Sequence, residues 1–126
     1  MLRALSLLLA MSSSAFAQDS DVPSGDIRVV GAKAAMLRGL DKVSGEVVDF
    51  DLTLDESFTV GSIEVFLREC RHPEDNMSGE AFAWLDIADP GREQELFSGW
   101  MIASSPALNA LDHPRYDVWV IRCTTT

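Results

Sequence analysis

Val48-Asp49-Phe50-Asp51-Leu52-Thr53-Leu54 decides the fold class. Apolar and polar side chains alternate through the whole stretch. A period of two marks a strand with one buried and one wet face, the usual condition of an antiparallel sheet. The same chemistry recurs on either side. Upstream, Met36 to Leu40 reads as a first strand, and Asp41-Lys42-Val43-Ser44-Gly45 supplies a Ser-Gly turn. Downstream, Asp55-Glu56 makes a turn. Ile63, Val65 and Leu67 then alternate with Glu64, Phe66 and Arg68 and run into Cys70.

Arg71 to Gly79 reads as a polar loop. Ala81 to Ala88 follows as a strand, with Ala81, Ala83, Leu85 and Ile87 on one face and Phe82 and Trp84 on the other. Asp89-Pro90-Gly91 is a strong turn. Leu96 to Ala103 reads as a strand in which Gly99 marks a bulge or a close contact. One short helix is expected next. Ser105 is its N-cap, Pro106 its first residue, and His113-Pro114 its end. Tyr116 to Cys123 is the last strand, with Val118 and Val120 on one face and Trp119, Ile121 and Cys123 on the other. The expected fold is mainly β: a small antiparallel β-sandwich or barrel-like domain of about six strands with one short helix.

The N-terminus reads as an address. Arg3 supplies a positive start, Ala4 to Met11 is apolar but too short to span a bilayer of about 30 Å, and Ala15-Phe16-Ala17 is a small-x-small cleavage site. The expected organisation is a signal peptide at 1–17, a flexible leader at 18–33 and one β domain at 34–126. The mature chain is expected to be periplasmic and soluble, with no direct membrane insertion. Cys70 and Cys123 suit that compartment, and two cysteines allow a single intramolecular disulfide.

The 126 residues are 47% hydrophobic and 24% charged, with a formal charge of −10, so the chain is globular rather than disordered. Cleavage would remove Arg3 and make the balance more negative still. Such a chain is repelled by phosphates and by anionic lipid headgroups, so nucleic acid is not an expected partner and membrane association must run through protein.

The residues give little support to catalysis. His113 has Asp112 beside it and Ser104 and Ser105 nearby, but neighbours on a strand point apart and no Gly-x-Ser-x-Gly elbow is present. A small hydrolase using His113 and a carrier of a small apolar ligand are the rival readings. His72, Glu74 and Asp75 lack the helical spacing that puts two ligands on one face, so no metal or cofactor is expected. The segment that stands out is aromatic. Phe97, Trp100, Met101, Tyr116 and Trp119 are the candidate partner-binding residues, because such side chains are either core or interface anchors. At least one of Trp100 and Trp119 is expected to reach solvent.

These residues also carry a resemblance. Leu40-Asp41-Lys42-Val43-Ser44-Gly45, Arg68-Glu69-Cys70-Arg71 and Phe97-Ser98-Gly99-Trp100-Met101-Ile102-Ala103-Ser104-Ser105-Pro106-Ala107-Leu108 resemble DUF2155, a family of small exported alphaproteobacterial proteins named for its unknown function. His113-Pro114 and Tyr116-Asp117-Val118-Trp119-Val120 through Cys123 match too. The loop after Cys70 departs from the pattern, since it is often proline-rich in the family and here carries only Pro73. The resemblance implies export and the Cys70–Cys123 pair, and brings no catalytic residues. Family genes often neighbour one for an accessory subunit of respiratory NADH:quinone oxidoreductase. The implied partner is therefore a protein of the envelope or of that inner-membrane complex.

Overall fold

The computed structural model describes residues 28–125. The expected signal peptide and most of the expected leader lie outside them. Eight strands occur among the described residues: β1 (Val29–Ala32), β2 (Ala34–Asp41), β3 (Val47–Thr53), β4 (Ser57–Val60), β5 (Ile63–Pro73), β6 (Phe82–Asp89), β7 (Gln94–Ile102) and β8 (Tyr116–Thr124). They form two antiparallel sheets. In the first, β5 is central and is followed by β6 and β7. On its other side β4 pairs with the first part of β5 and β1 with the last part. The second sheet has the order β3-β2-β8.

Alternation builds the core. Ile63, Val65 and Leu67 of β5, Ala83, Leu85 and Ile87 of β6 and Met101 of β7 point inward. They meet Leu37 of β2, Phe50 and Leu52 of β3, and Val118 and Val120 of β8 in one buried cluster. The β3–β4 turn crosses between the sheets. Leu54 N–H donates to the Lys33 carbonyl (3.0 Å) and Asp55 N–H to that of Leu67 (2.8 Å).

Four expectations are corrected. The strands number eight rather than about six, because β1 and β4 are four-residue edge strands with only one buried residue each and so lack a clear apolar face. β1 falls within the stretch 18–33. The polar loop after Cys70 begins only beyond Pro73, since Arg71 and His72 still pair with β1. The short helix is a single 3₁₀ turn, Pro106–Leu108, in which Ser105 makes no side-chain cap and Leu108 is 75% exposed. Finally, Cys123 points inward with Val118 and Val120, not outward with Trp119. Met36 faces Arg122 while Leu37 faces Val120, so Ile121 is an unpaired extra residue that resets the alternation. Arg68 does the same in β5 and turns Cys70 inward. The Cys70–Cys123 disulfide then ties the two sheets together.

Candidate interaction surface

The outer face of the first sheet is unusually aromatic. Cross-strand register sets its rows: Arg71, Phe82 and Ile102 lie side by side, then Glu69, Trp84 and Trp100, then Phe66, Asp86 and Ser98. These are the residues that alternation turns away from the core, and all but Ser98, Glu69 and Arg71 are half-buried by their neighbours. The Trp84 and Trp100 rings meet edge to face, centroids 5.4 Å apart, an arrangement that matches a positive ring edge to a negative face. Arg71 lies 5.8 Å from the Trp100 centroid and Arg68 4.6 Å from that of Phe66, both cation–π contacts.

A polar network sits at the end of this face. Asp86 accepts from Arg68 Nε (2.5 Å), Ser98 Oγ (2.6 Å) and Trp84 Nε1 (3.3 Å). Partial burial pulls the Asp86 carboxyl up, but the donors Ser98, Arg68 and Trp84 outweigh it and hold it below its ordinary value. Asp86 thus stays charged and pins the Trp84 ring. Beside the network, Val29, Arg71, Phe82 and Trp100 line a shallow depression of about 280 Å³. On the free edge of β7, Asn109 Nδ2 donates to the Trp100 carbonyl (2.7 Å), so the β7–β8 loop holds this strand in place.

The structure divides the sequence candidates. Met101 (1% exposed) and Tyr116 (6% exposed) are core. Phe97 and Trp119 are half-buried and pack against the core. Trp100 alone of the five lies in the outer aromatic face. Both Trp100 and Trp119 keep partial access to solvent, as expected of at least one. Val29, Arg71, Phe82 and Trp84 were missed as site residues. Phe82 and Trp84 carried a signal, since two large rings two apart on the face opposite Ala83 and Leu85 must cover something. Val29 and Arg71 carried none, because their place depends on the β1–β5 register.

The residues considered for chemistry are dispersed. Ser104 is tied to Glu80: its hydroxyl bonds Glu80 Oε2 and its N–H donates to Oε1 (3.0 Å). His113 Nδ1 accepts from the backbone N–H groups of Arg115 and Tyr116, both at 3.0 Å, and its ring stacks on Tyr116. Those two donors require an unprotonated Nδ1, so the neutral ring carries its proton on Nε2. His113 shares a cleft of about 510 Å³ with Ser62, Asp89, Arg92 and Arg115. The His113 Nε2 is therefore a donor, not a base. His72 is 5% exposed and points inward, whereas Glu74 and Asp75 lie on an exposed turn, so these three do not converge. No group of three or more His, Cys, Asp or Glu suited to a metal occurs among the described residues.

Fold and face together define a small disulfide-bonded domain of two antiparallel sheets with an aromatic outer surface, on which Arg68 pairs with Asp86 and Arg71 with Glu69. The chain belongs to the family described as "Uncharacterized protein conserved in bacteria (DUF2155)", whose model matches residues 35–123. That span holds both cysteines and every strand from β3 to β7, and leaves out β1. The chain is also similar to an uncharacterized protein of Rickettsia prowazekii (strain Madrid E), 25% identical over 87 residues, which is 67% of this chain and 56% of that relative. The match thus spans little more than half of the curated relative. No solved structure matches.

Proposed function

We propose that the chain is an exported, non-enzymatic interaction module, a periplasmic accessory protein of a membrane respiratory complex, which docks through the outer face of the first sheet. The observation that carries this reading is the aromatic face itself. Phe82, Trp84 and Trp100 stand outside the core cluster, yet are held in fixed geometry by Asp86, Arg71 and a neighbouring strand. Pre-fixed aromatic and arginine side chains are favoured as interface anchors, because little entropy is lost when they dock. Export is supported by the Cys70–Cys123 disulfide, which suits an oxidising compartment. The choice of NADH:quinone oxidoreductase rests on the gene neighbourhood that the family resemblance implies.

The rival readings find less to stand on. The two N–H donors at His113 Nδ1 leave the ring no free lone pair to act as a base, and Ser104 bonds Glu80. The inward positions of both sheets are filled by side chains packed on one another, where a carrier would hold its ligand. The test is affinity capture in mild detergent from the native host. Capture of respiratory-complex subunits by the wild-type chain, and their loss with a folded Trp100→Ala variant, is the expected result. Equal capture by both, or capture lacking such subunits, refutes the reading.

A further inference from the structure

β3 is an open edge of the second sheet, since β2 is its one paired neighbour among the described residues. The two ends of that pairing fix which backbone groups it uses. Asp41 N–H donates to the Glu46 carbonyl (2.9 Å) and Leu54 N–H to that of Lys33 (3.0 Å). In an antiparallel pair, successive residues turn their N–H and C=O groups alternately toward the partner and away from it. Val48, Phe50 and Leu52 therefore face β2, and Val47, Asp49 and Asp51 face the open edge. Those three residues are exposed, and no described strand covers them on that side. A row of such groups is a template for one more strand.

Charge limits what can pair there. Glu46, Asp49, Asp51, Asp55 and Glu56 are all exposed, and the run 46–56 contains no Lys or Arg. Asp49 alone of the five forms an ion pair among the described residues, with Arg38 (2.6 Å). A second copy would bring two such acidic runs together, so the edge repels its own kind and attracts a basic strand. Residues paired across a sheet share a face. Side chains opposite Asp49 and Asp51 would thus stand on the wet face, and those between them would point between the sheets. A cleft of about 410 Å³ lies between β3 and β4, and its lining includes Val48, Phe58, Val60 and Tyr116. Phe58 stacks on Phe50 behind it, with ring centroids 4.3 Å apart. Val48 is still 38% exposed on this inward side, so an added apolar side chain would cover it.

We propose that the open edge of β3 takes up an extended basic segment of a partner protein as an antiparallel fourth strand of the second sheet. Its lysine or arginine side chains lie against Asp49 and Asp51, and its alternate, apolar side chains enter the cleft beside Val48. Main-chain bonds to Val47, Asp49 and Asp51 supply affinity, while the alternation of basic and apolar residues supplies specificity. The site is separate from the aromatic face, which lies on the other sheet.

The test uses the purified chain and a labelled peptide of alternating lysine and valine. Fluorescence anisotropy should show saturable binding of one peptide per chain. Hydrogen exchange followed by NMR should slow at the amides of Val47, Asp49 and Asp51, with those of β7 unchanged. The same peptide N-methylated at its lysines keeps its charge but cannot extend the ladder, and should not bind. Val47→Pro removes an edge-facing N–H at the first position of β3, where proline is tolerated, and should weaken binding about fivefold or more. Asp51→Lys should weaken it too, and Trp100→Ala should leave it unchanged. Val47 and Asp51 are exposed, so both variants should keep the fold. Absence of saturable binding overturns the inference, as does equal binding of the N-methylated peptide, which would reduce the contact to charge alone. Protection at another edge, or an affinity that neither β3 variant changes, overturns it as well. Slowed exchange at the same amides in the concentrated chain without peptide would make a second copy the occupant and refute the basic partner.

Discussion

Cys70 and Cys123 sit with Cα atoms 5.8 Å apart between the two sheets because each strand carries one unpaired residue before its cysteine, Arg68 in β5 and Ile121 in β8. Side-chain direction alternates along a strand. Counting strictly from Leu67 or from Val120 would send either sulfur outward. The two bulges correct both phases, and the covalent link follows from them.

Deleting Ile121 should therefore be tolerated. Val120 and Arg122 would become consecutive, each keeping its present partner in β2, and Cys123 would still face Cys70. Thiol alkylation with intact-mass readout should find no free cysteine in the deletion variant. Two reactive thiols there would contradict the bulge assignment. Replacing both cysteines by Ala should cost about 2–4 kcal/mol in denaturant unfolding, given a sequence separation of 53 residues.

Gly61 and Gly45 separate a steric from a purely conformational demand. Both have positive φ, 58° and 78°. A Cβ on Gly61 would lie 2.2 Å from the Tyr116 hydroxyl oxygen, whereas one on Gly45 meets nothing within 4 Å. Gly45→Ala should cost about 1 kcal/mol, the strain of the left-handed region alone. Gly61→Ala should cost about 2 kcal/mol or more, because the buried Tyr116 ring must move. Equal losses in urea unfolding would remove the close approach from the explanation.

Acid should weaken the fold through Asp41. The Arg115 guanidinium (3.0 Å), helped by the N–H groups of Val43 and Ser44, holds this carboxyl well below the usual carboxylate range against the opposing pull of burial. The unfolded chain then takes up the proton first as pH falls. The stabilisation is complete above the ordinary carboxylate range and is lost as pH drops toward the folded value. Asp41→Asn should be less stable than wild type at neutral pH, and the gap should narrow as pH falls below the ordinary carboxylate range. A gap that stays constant between those conditions would show that the charge on Asp41 contributes nothing.

Met101 and Trp100 are adjacent in β7 and face opposite ways. Met101→Ala should cost about 2–5 kcal/mol, as for other buried large-to-small changes, because its 1% exposure leaves a cavity behind. Trp100→Ala should cost clearly less, since its ring lies outside the core cluster. Thermal unfolding of the two variants decides the order, and the reverse order would make Trp100 a core residue.

The strands with one wet face were legible from sequence because alternation is a local signal. Val48 to Leu54 needed only its own residues, and β3 covers most of it. The edge strands β1 and β4 were not, since Val29 and Ser57 form strands only because β5 offers them an open edge. The inward turn of Cys123 was hidden for a related reason, as a bulge is invisible until the partner strand is known. For the site, Trp100 could be named, but whether it faced core or solvent depended on the phase of β7. Leu96 is unpaired there, between Phe97 opposite Ile87 and Glu95 opposite Ala88. Arg71 joined Trp100 only through the register of β5, β6 and β7.

The most direct test of the docking face is site-specific photo-crosslinking in living cells. A photoreactive residue replaces Ile102 on the outer face of the first sheet, or Trp119 on the second. The expected result is a crosslink from position 102 to a subunit of NADH:quinone oxidoreductase, weakened by Trp100→Ala, with none from position 119. A crosslink to that complex from position 119 alone, or none from either site while both variants remain folded and disulfide-bonded, would contradict the outer aromatic face as the docking surface.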